Sequence, residues 1–208
     1  MKRCIRKARG FMCLIGLTAL AGTALAQPDV DDPAYCLTCH GAAGQGNPAI
    51  EAPVLTGMSS DYLRRQLEDF RSGRRGANPK DTVGAEMHGI ARAMSDAGIE
   101  RAVTLIASLP VRAAADANIP GDAVAGEPLY QQCSACHGSD AAGNEALSAP
   151  GLHYQQASYL RRQLTHFRDG VRGSADGDAL GQQMAASSAG LSDDDIVNVV
   201  AYIKSLNR

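Results

Sequence analysis

Four cysteines fall in two matching settings, Cys36-Leu37-Thr38-Cys39-His40 and Cys133-Ser134-Ala135-Cys136-His137. Cysteines three residues apart share a face of one helical turn, where both thiols can form thioethers with the two vinyl groups of a haem. The histidine that follows is then placed to ligate the iron. The pattern predicts two covalently attached haem c groups, one on Cys36 and Cys39 and one on Cys133 and Cys136, with His40 and His137 as axial ligands. A thioredoxin-like dithiol does not require the adjacent histidine, and a structural zinc needs four ligands where each cluster offers three. The other two cysteines of the six, Cys4 and Cys13, lie in the first 26 residues, so no thiol beyond residue 26 is left over.

The offset between the motifs is 97 residues, and the chain repeats at that offset without a gap: 31 of the 74 positions from Cys36 to Leu109 recur from Cys133 to Leu206. The hexapeptide Tyr62-Leu63-Arg64-Arg65-Gln66-Leu67 returns intact as Tyr159 to Leu164. The repeat supplies a test for the second iron ligand. Of Met58, Met87, Met94 and Met184, only Met87 and Met184 match each other, each 47 residues beyond its haem histidine. Met58 and Met94 align with Gln155 and Leu191. Met87 and Met184 are therefore the expected sixth ligands, the others core filler. An iron held by His and Met has no open position, which suits electron transfer rather than substrate chemistry. His88, His153 and His166 match no histidine at the offset and read as surface or partly buried side chains; His88, next to Met87, could replace it at raised pH. Pro53 and Pro150 read either as rigid loop prolines or as carbonyls that accept the hydrogen bond of the haem histidine.

The elements that must hold these groups read as helices. Leu63, Leu67 and Phe70 share one face of a helix over Asp61 to Ser72, with Ser59 or Ser60 as N-cap and Gly73 as C-cap. Ser95-Asp96 and Ser192-Asp193 open the last helix of each copy, and Ile99, Val103, Ile106 and Ile196, Val200, Ile203 form their buried stripes. No alternating strand pattern stands out. The expected fold class is all-α, with two units over 27–112 and 126–208 joined by an Ala-, Gly-, Pro- and Asp-containing linker over 113–125. Units this small have marginal cores unless something fills the centre, and neither has an aromatic-rich core or a spare disulfide.

Residues 1–26 have a basic start, an apolar run from Phe11 and the ending Ala24-Leu25-Ala26. That is the layout of a secretory signal peptide, and the 16-residue run is short for a membrane span. Cleavage after Ala26 would deliver a periplasmic product. It would remove five basic and no acidic side chains, leaving 182 residues with a formal charge of −7 in place of −2. With 20 basic and 22 acidic residues overall, the composition argues against nucleic-acid binding, and 45% hydrophobic residues argue against disorder. Ten of the 15 basic residues beyond residue 26 fall in two windows, Arg64, Arg65, Arg71, Arg74, Arg75 and Lys80 in the first copy and Arg161, Arg162, Arg168 and Arg172 in the second. They read as a solvated helix face, as partners of haem propionates or as a docking patch. Asp193, Asp194 and Asp195 suit a helix N-terminus.

On these motifs the chain resembles the tandem dihaem class I cytochromes c of the bacterial periplasmic c-four type. The resemblance rests on the duplicated CxxCH, the Ala-Pro-x-Leu segments at Ala52 and Ala149, the Tyr-Leu-x-x-Gln-Leu-x-x-Phe-Arg-x-Gly-x-Arg helices, and the methionine seven residues before Met94-Ser95-Asp96 or Leu191-Ser192-Asp193. It implies two cytochrome c domains packed with their haems near each other. It also implies a non-enzymatic role carrying electrons between redox proteins, for example to a membrane-bound terminal oxidase. A dihaem subunit of a flavocytochrome sulfide dehydrogenase, or of a similar periplasmic complex, would look much the same. A dihaem peroxidase needs an iron that can open, against which the two matched methionines argue. Two departures stand out. The first unit has a short acidic lead-in, Gln27 to Tyr35, which predicts a truncated first helix. The family's usual Gly-Gln after Pro-x-Leu is Gly57-Met58 in one unit and Tyr154-Gln155 in the other.

Overall fold

The computed structural model describes residues 29–114, 116 and 119–206; the expected signal peptide lies outside them. Among the described residues there are eight α-helices and no strand. The first unit contains α1 (Tyr35–His40), α2 (Ser60–Ser72), α3 (Thr82–Ala93) and α4 (Asp96–Ser108). The second contains α5 (Ala123–His137), α6 (Ala157–Arg168), α7 (Ala179–Ser188) and α8 (Asp193–Ser205). In each, the long loop after the histidine holds a short 3-10 turn closed by one isolated bridge, Asn47 to Ala52 or Asn144 to Ala149.

The helix boundaries follow local chemistry. Ser59 accepts from Tyr62 N at 3.2 Å to start α2, and Gly73 ends it with φ 79°. The last helices start alike but are capped differently. In α8, Ser192 and Asp195 form a reciprocal capping box. The position matching Asp195 is Gly98, and there the lead-in supplies the acid: Asp31 accepts from Ser95 N at 2.8 Å and from Ser95 Oγ at 2.6 Å. These bonds and burial of Val30 pin a lead-in whose helix, α1, has 6 residues where α5 has 15.

Each core is built on its last helix. Ile99, Val103 and Ile106 of α4 are buried with Leu63 of α2 and Met94, while Val199, Val200 and Ile203 of α8 pack with Tyr130 and Leu160. Burying each of these aliphatic side chains contributes about 1.5–3 kcal/mol. Gly126 lets α5 approach α8 closely, because a Cβ there would overlap the Asn198 carbonyl. Tyr130, fully buried, donates its hydroxyl to Gly138 O at 2.8 Å.

The connection between the units is fastened to both. Arg112 N donates to Thr56 Oγ1 at 3.0 Å and Ala114 N to Tyr154 O at 2.8 Å. Asp116 pairs with Lys204 Nζ at 3.1 Å and also accepts from Ala157 N, the first residue of α6.

Candidate haem sites

Both CxxCH segments end a helix. After His40 the chain turns through Gly41 at φ 84° and returns Gly46 N to the His40 carbonyl at 2.8 Å; Gly138 and Gly143 do the same after His137. Both imidazoles are buried, and each Nδ1 meets a proline carbonyl: His40 at Pro53 O, 2.8 Å, and His137 at Pro150 O, 2.9 Å. A carbonyl only accepts, so each Nδ1 carries the proton and each Nε2 is left as a bare donor atom for a metal. Burial pushes both imidazole pKa values down against the opposing pull of these carbonyls, which favours the neutral, ligating form. The carbonyl reading of Pro53 and Pro150 is the one the structure shows.

Cys36, Cys39, Cys133 and Cys136 are unpaired thiols, and burial raises the pKa of Cys36 and Cys133. A largely apolar cleft in the first unit brings together Cys36, Cys39, His40 and Met87. Met87 reaches it from α3, whose start is set by Asp81 accepting from Gly84 N at 2.8 Å. Asp178 repeats that bond to Gly181 N on α7, which carries Met184. The cleft continues into the second unit along Leu152 and Leu160, which pack with Cys133, but His137 and Met184 do not line it. Met58 and Met94 line the same cleft and pack on the core beside it, and unlike Met87 neither has a methionine counterpart. His88 does not line the cleft; its Nδ1 bonds the Phe70 carbonyl.

The arginines divide by tertiary position. Arg64 stays on the surface with Asp61 and Glu100. Arg65 and Arg162 reach across the seam between units in a two-fold manner, donating to Ser148 O and Glu51 O, each at 3.0 Å. The solvated-face reading therefore fits Arg64 and the exposed Arg161, not Arg65 or Arg162.

The centre of the seam belongs to Arg75 and Arg172, only 9% and 8% exposed, two of the ten clustered basic residues and, in each copy, the last arginine of the repeated helix motif. Their available signal was retention in both copies, nine residues after Gln66 and Gln163. Arg75 donates to Gln66 at 2.7 Å, Tyr159 at 2.7 Å and Gln163 at 3.3 Å; Arg172 donates to Gln163 at 2.7 Å and Gln66 at 2.6 Å. All these partners are neutral. Burial pushes the Tyr159 phenol up, but Arg75, Arg172 and Arg162 outweigh it and hold its pKa below the ordinary value. Buried guanidinium charge with neutral partners is costly, and Arg75 Nε and Arg162 Nε find no acceptor at all. Arg162 Nη1 lies 3.0 Å from Glu51 Oε2 but off the direction of a hydrogen bond. Arg75, Arg162, Tyr159 and Gln163 border the cleft that holds His40 and Met87. An apolar slot with a bare imidazole nitrogen, two thiols, a thioether and an unsatisfied cationic rim fits a haem and its two carboxylates.

The comparisons agree. The family model for cytochrome c matches the chain twice, over residues 32–110 and 123–207. Cytochrome c4 of Pseudomonas aeruginosa is 33% identical over 204 residues, covering 93% of this chain and 94% of its own. A thiosulfate dehydrogenase electron acceptor of Stutzerimonas stutzeri is 34% identical, covering 83% of this chain and 79% of its own. The reduced cytochrome c4 of Pseudomonas stutzeri superposes with a TM-score of 0.66 at 33% identity, over 84% of this chain and 95% of its own. The all-α tandem expectation is borne out, and the duplicated CxxCH within two such domains means two covalently bound haem c groups. The chain belongs to the cytochrome c family, as a tandem dihaem electron carrier of the cytochrome c4 type and not an enzyme.

Proposed function

We propose that the chain is an exported, periplasmic carrier that moves electrons between respiratory partners, such as a donor complex and a terminal oxidase, through two His/Met haems. Cys36 and Cys39 attach the first haem, with His40 and Met87 on its iron; Cys133 and Cys136 attach the second, with His137 and Met184. The units run over 27–112 and 126–208, with 113–125 between them, and α5 begins inside that linker at Ala123. Among the described residues no helix is long and apolar enough to cross a membrane.

The observation that carries this reading is the cleft that gathers Cys36, Cys39, His40 and Met87, with His40 Nδ1 already engaged by Pro53 O. Bound haem supplies a reversible one-electron couple. His40 and Met87 would hold one iron and His137 and Met184 the other, so that no further ligand would bind. The proline carbonyls orient the imidazoles, and the apolar walls exclude water. Arg75, Arg162 and Arg172 neutralise propionate charge at the seam, where the two haem sites meet.

A potentiometric titration followed optically tests the reading. Two low-spin haems, each with the Met–iron charge-transfer band, are expected. A substantial high-spin ferric fraction, or one haem per chain, would refute it.

The similarity to thiosulfate dehydrogenase electron acceptors favours a second reading, an electron-accepting partner of a periplasmic oxidoreductase. A related arrangement is the dihaem subunit of a flavocytochrome sulfide dehydrogenase. Purification from the native host separates these: a stable complex with a dehydrogenase supports the second reading, and a free monomeric cytochrome supports the first.

A further inference from the structure

The near-copies differ in what grips the loop behind each axial histidine. In the first unit that loop is held by the second unit. Val54 N donates to Gln155 Oε1 at 2.8 Å, and Gln155 Nε2 donates to Val54 O at 2.9 Å. One residue on, Gln156 Nε2 donates to Ala52 O at 3.1 Å. The residue between Ala52 and Val54 is Pro53, whose carbonyl sets His40. Gln155, Gln156 and Val54 are 3%, 1% and 1% exposed, so water does not compete for these bonds. The glutamines are themselves anchored, because Lys204 Nζ donates to Gln155 O at 2.6 Å and to His153 O at 2.9 Å.

The reverse grip is not built. The residues matching Gln155 and Gln156 at the 97-residue offset are Met58 and Ser59. A thioether has no N–H to donate, and Met58 packs into its own unit's core. The Ser59 hydroxyl oxygen accepts from Tyr62 N in capping α2, and its side chain is too short to stand in for the reach of a glutamine amide.

We propose that Gln155 and Gln156 are positioning residues for the axial histidine of the first haem, acting across the seam from the second unit. Beyond the matched Arg65–Ser148 and Arg162–Glu51 bonds, which reach both loops alike, the coupling runs one way. The second unit fixes the Pro53 carbonyl, and through it the orientation and basicity of the His40 ring; the first unit has no equivalent hold on Pro150 and His137. A firm Nδ1–H···O=C bond makes the imidazole a stronger donor and favours ferric iron. Loosening it raises the first haem's potential and leaves the second unchanged. The inference rests on His40 being the iron ligand proposed above.

The test uses the full-length holoprotein with Gln155→Met, which copies the first unit's side chain, and separately Gln156→Ala. Each is titrated potentiometrically, and the ferric electron paramagnetic resonance spectrum is recorded. The first haem is identified as the one whose Met–iron band survives Met184→Ala. Gln155→Met is expected to shift the oxidation equilibrium of the first haem upward by up to about tenfold, about 59 mV for one electron. It should also alter that haem's g-values, with Gln156→Ala a smaller change of the same sign. Unchanged potentials in both fully loaded variants would overturn the inference, as would equal shifts of both haems or loss of haem from both variants. Failure of the proposed function would show instead in the unsubstituted protein, as fewer than two low-spin haems.

Discussion

Lys204 is the most exacting test of how the linker and the second unit are fastened. Its ammonium is buried, with the side chain 5% exposed, and meets Asp116 at 3.1 Å and the carbonyls of His153 and Gln155 at 2.9 and 2.6 Å. Lys204→Met keeps the length and apolar packing of the stem and removes all three contacts. Each hydrogen bond to a charged group is worth about 1.5–3 kcal/mol, but the contacts share one amine and the stem remains packed. The relevant scale is removal of one partner from a buried pair, about 3–5 kcal/mol. Asp116 keeps its bond from Ala157 N at 3.2 Å, which places the expectation toward the lower end. At about 2–4 °C per kcal/mol for a chain of this size, the melting midpoint should fall by about 6–12 °C. Circular dichroism of the holoprotein, with denaturant titration for the free energy, reads this directly. Asp116→Asn should cost less, and the double variant should lose less than the sum of the singles, by about 0.5–3 kcal/mol. Glu100→Gln, on the exposed Arg64 pair, should leave the midpoint unchanged. A loss below about 1 kcal/mol for Lys204→Met would show that the buried pair does not fasten the linker to the second unit and refute the reasoning.

Met184→Ala should abolish the Met–iron band of one haem and Met87→Ala that of the other; loss of both bands, or of neither, from either single variant overturns the ligand assignment. Gly173 has φ 77°, and a Cβ there would overlap the Gly181 carbonyl on α7. Gly173→Ala should therefore lower stability by at least about 1–2 kcal/mol and weaken the Met band of the second haem alone, which a midpoint and an oxidised spectrum together would check. Burial lowers the His166 pKa against the pull of Asp81, assisted by Arg162, Arg172 and Arg75. The neutral ring thus favours the folded state above pH 6.5, the ordinary value, and that contribution is lost as pH falls through the depressed folded pKa. Comparing His166→Gln with the unsubstituted chain from pH 7.5 to 5 should show a smaller acid loss in the variant; identical pH profiles would remove His166 from the account.

Much of the chemistry was legible from order along the chain alone. Cysteines three apart with an adjacent histidine declare themselves within one helical turn, and a gap-free repeat makes each half a control for the other. That is why Met87 and Met184 stood out from Met58 and Met94, and why Ser59, Gly73, Ser95 and Ser192 marked helix ends: caps are local interactions. Contacts between distant segments left no such trace. The shared Ser-Asp start conceals that the N–H of Ser192 is met by Asp195 of its own helix while that of Ser95 is met by Asp31, 64 residues away. Arg64 and Arg65 are neighbours in sequence, yet one faces solvent and the other crosses to Ser148. Arg75 and Arg172 could not be told from the other clustered basic residues until the seam closed over them. Repetition determined that there are two haem units and singled out candidate ligands for each, because thioether attachment depends on residue type and spacing. Only the tertiary structure decided that the two are not equivalent, because Gln155 and Met58 become different parts once opposing surfaces meet.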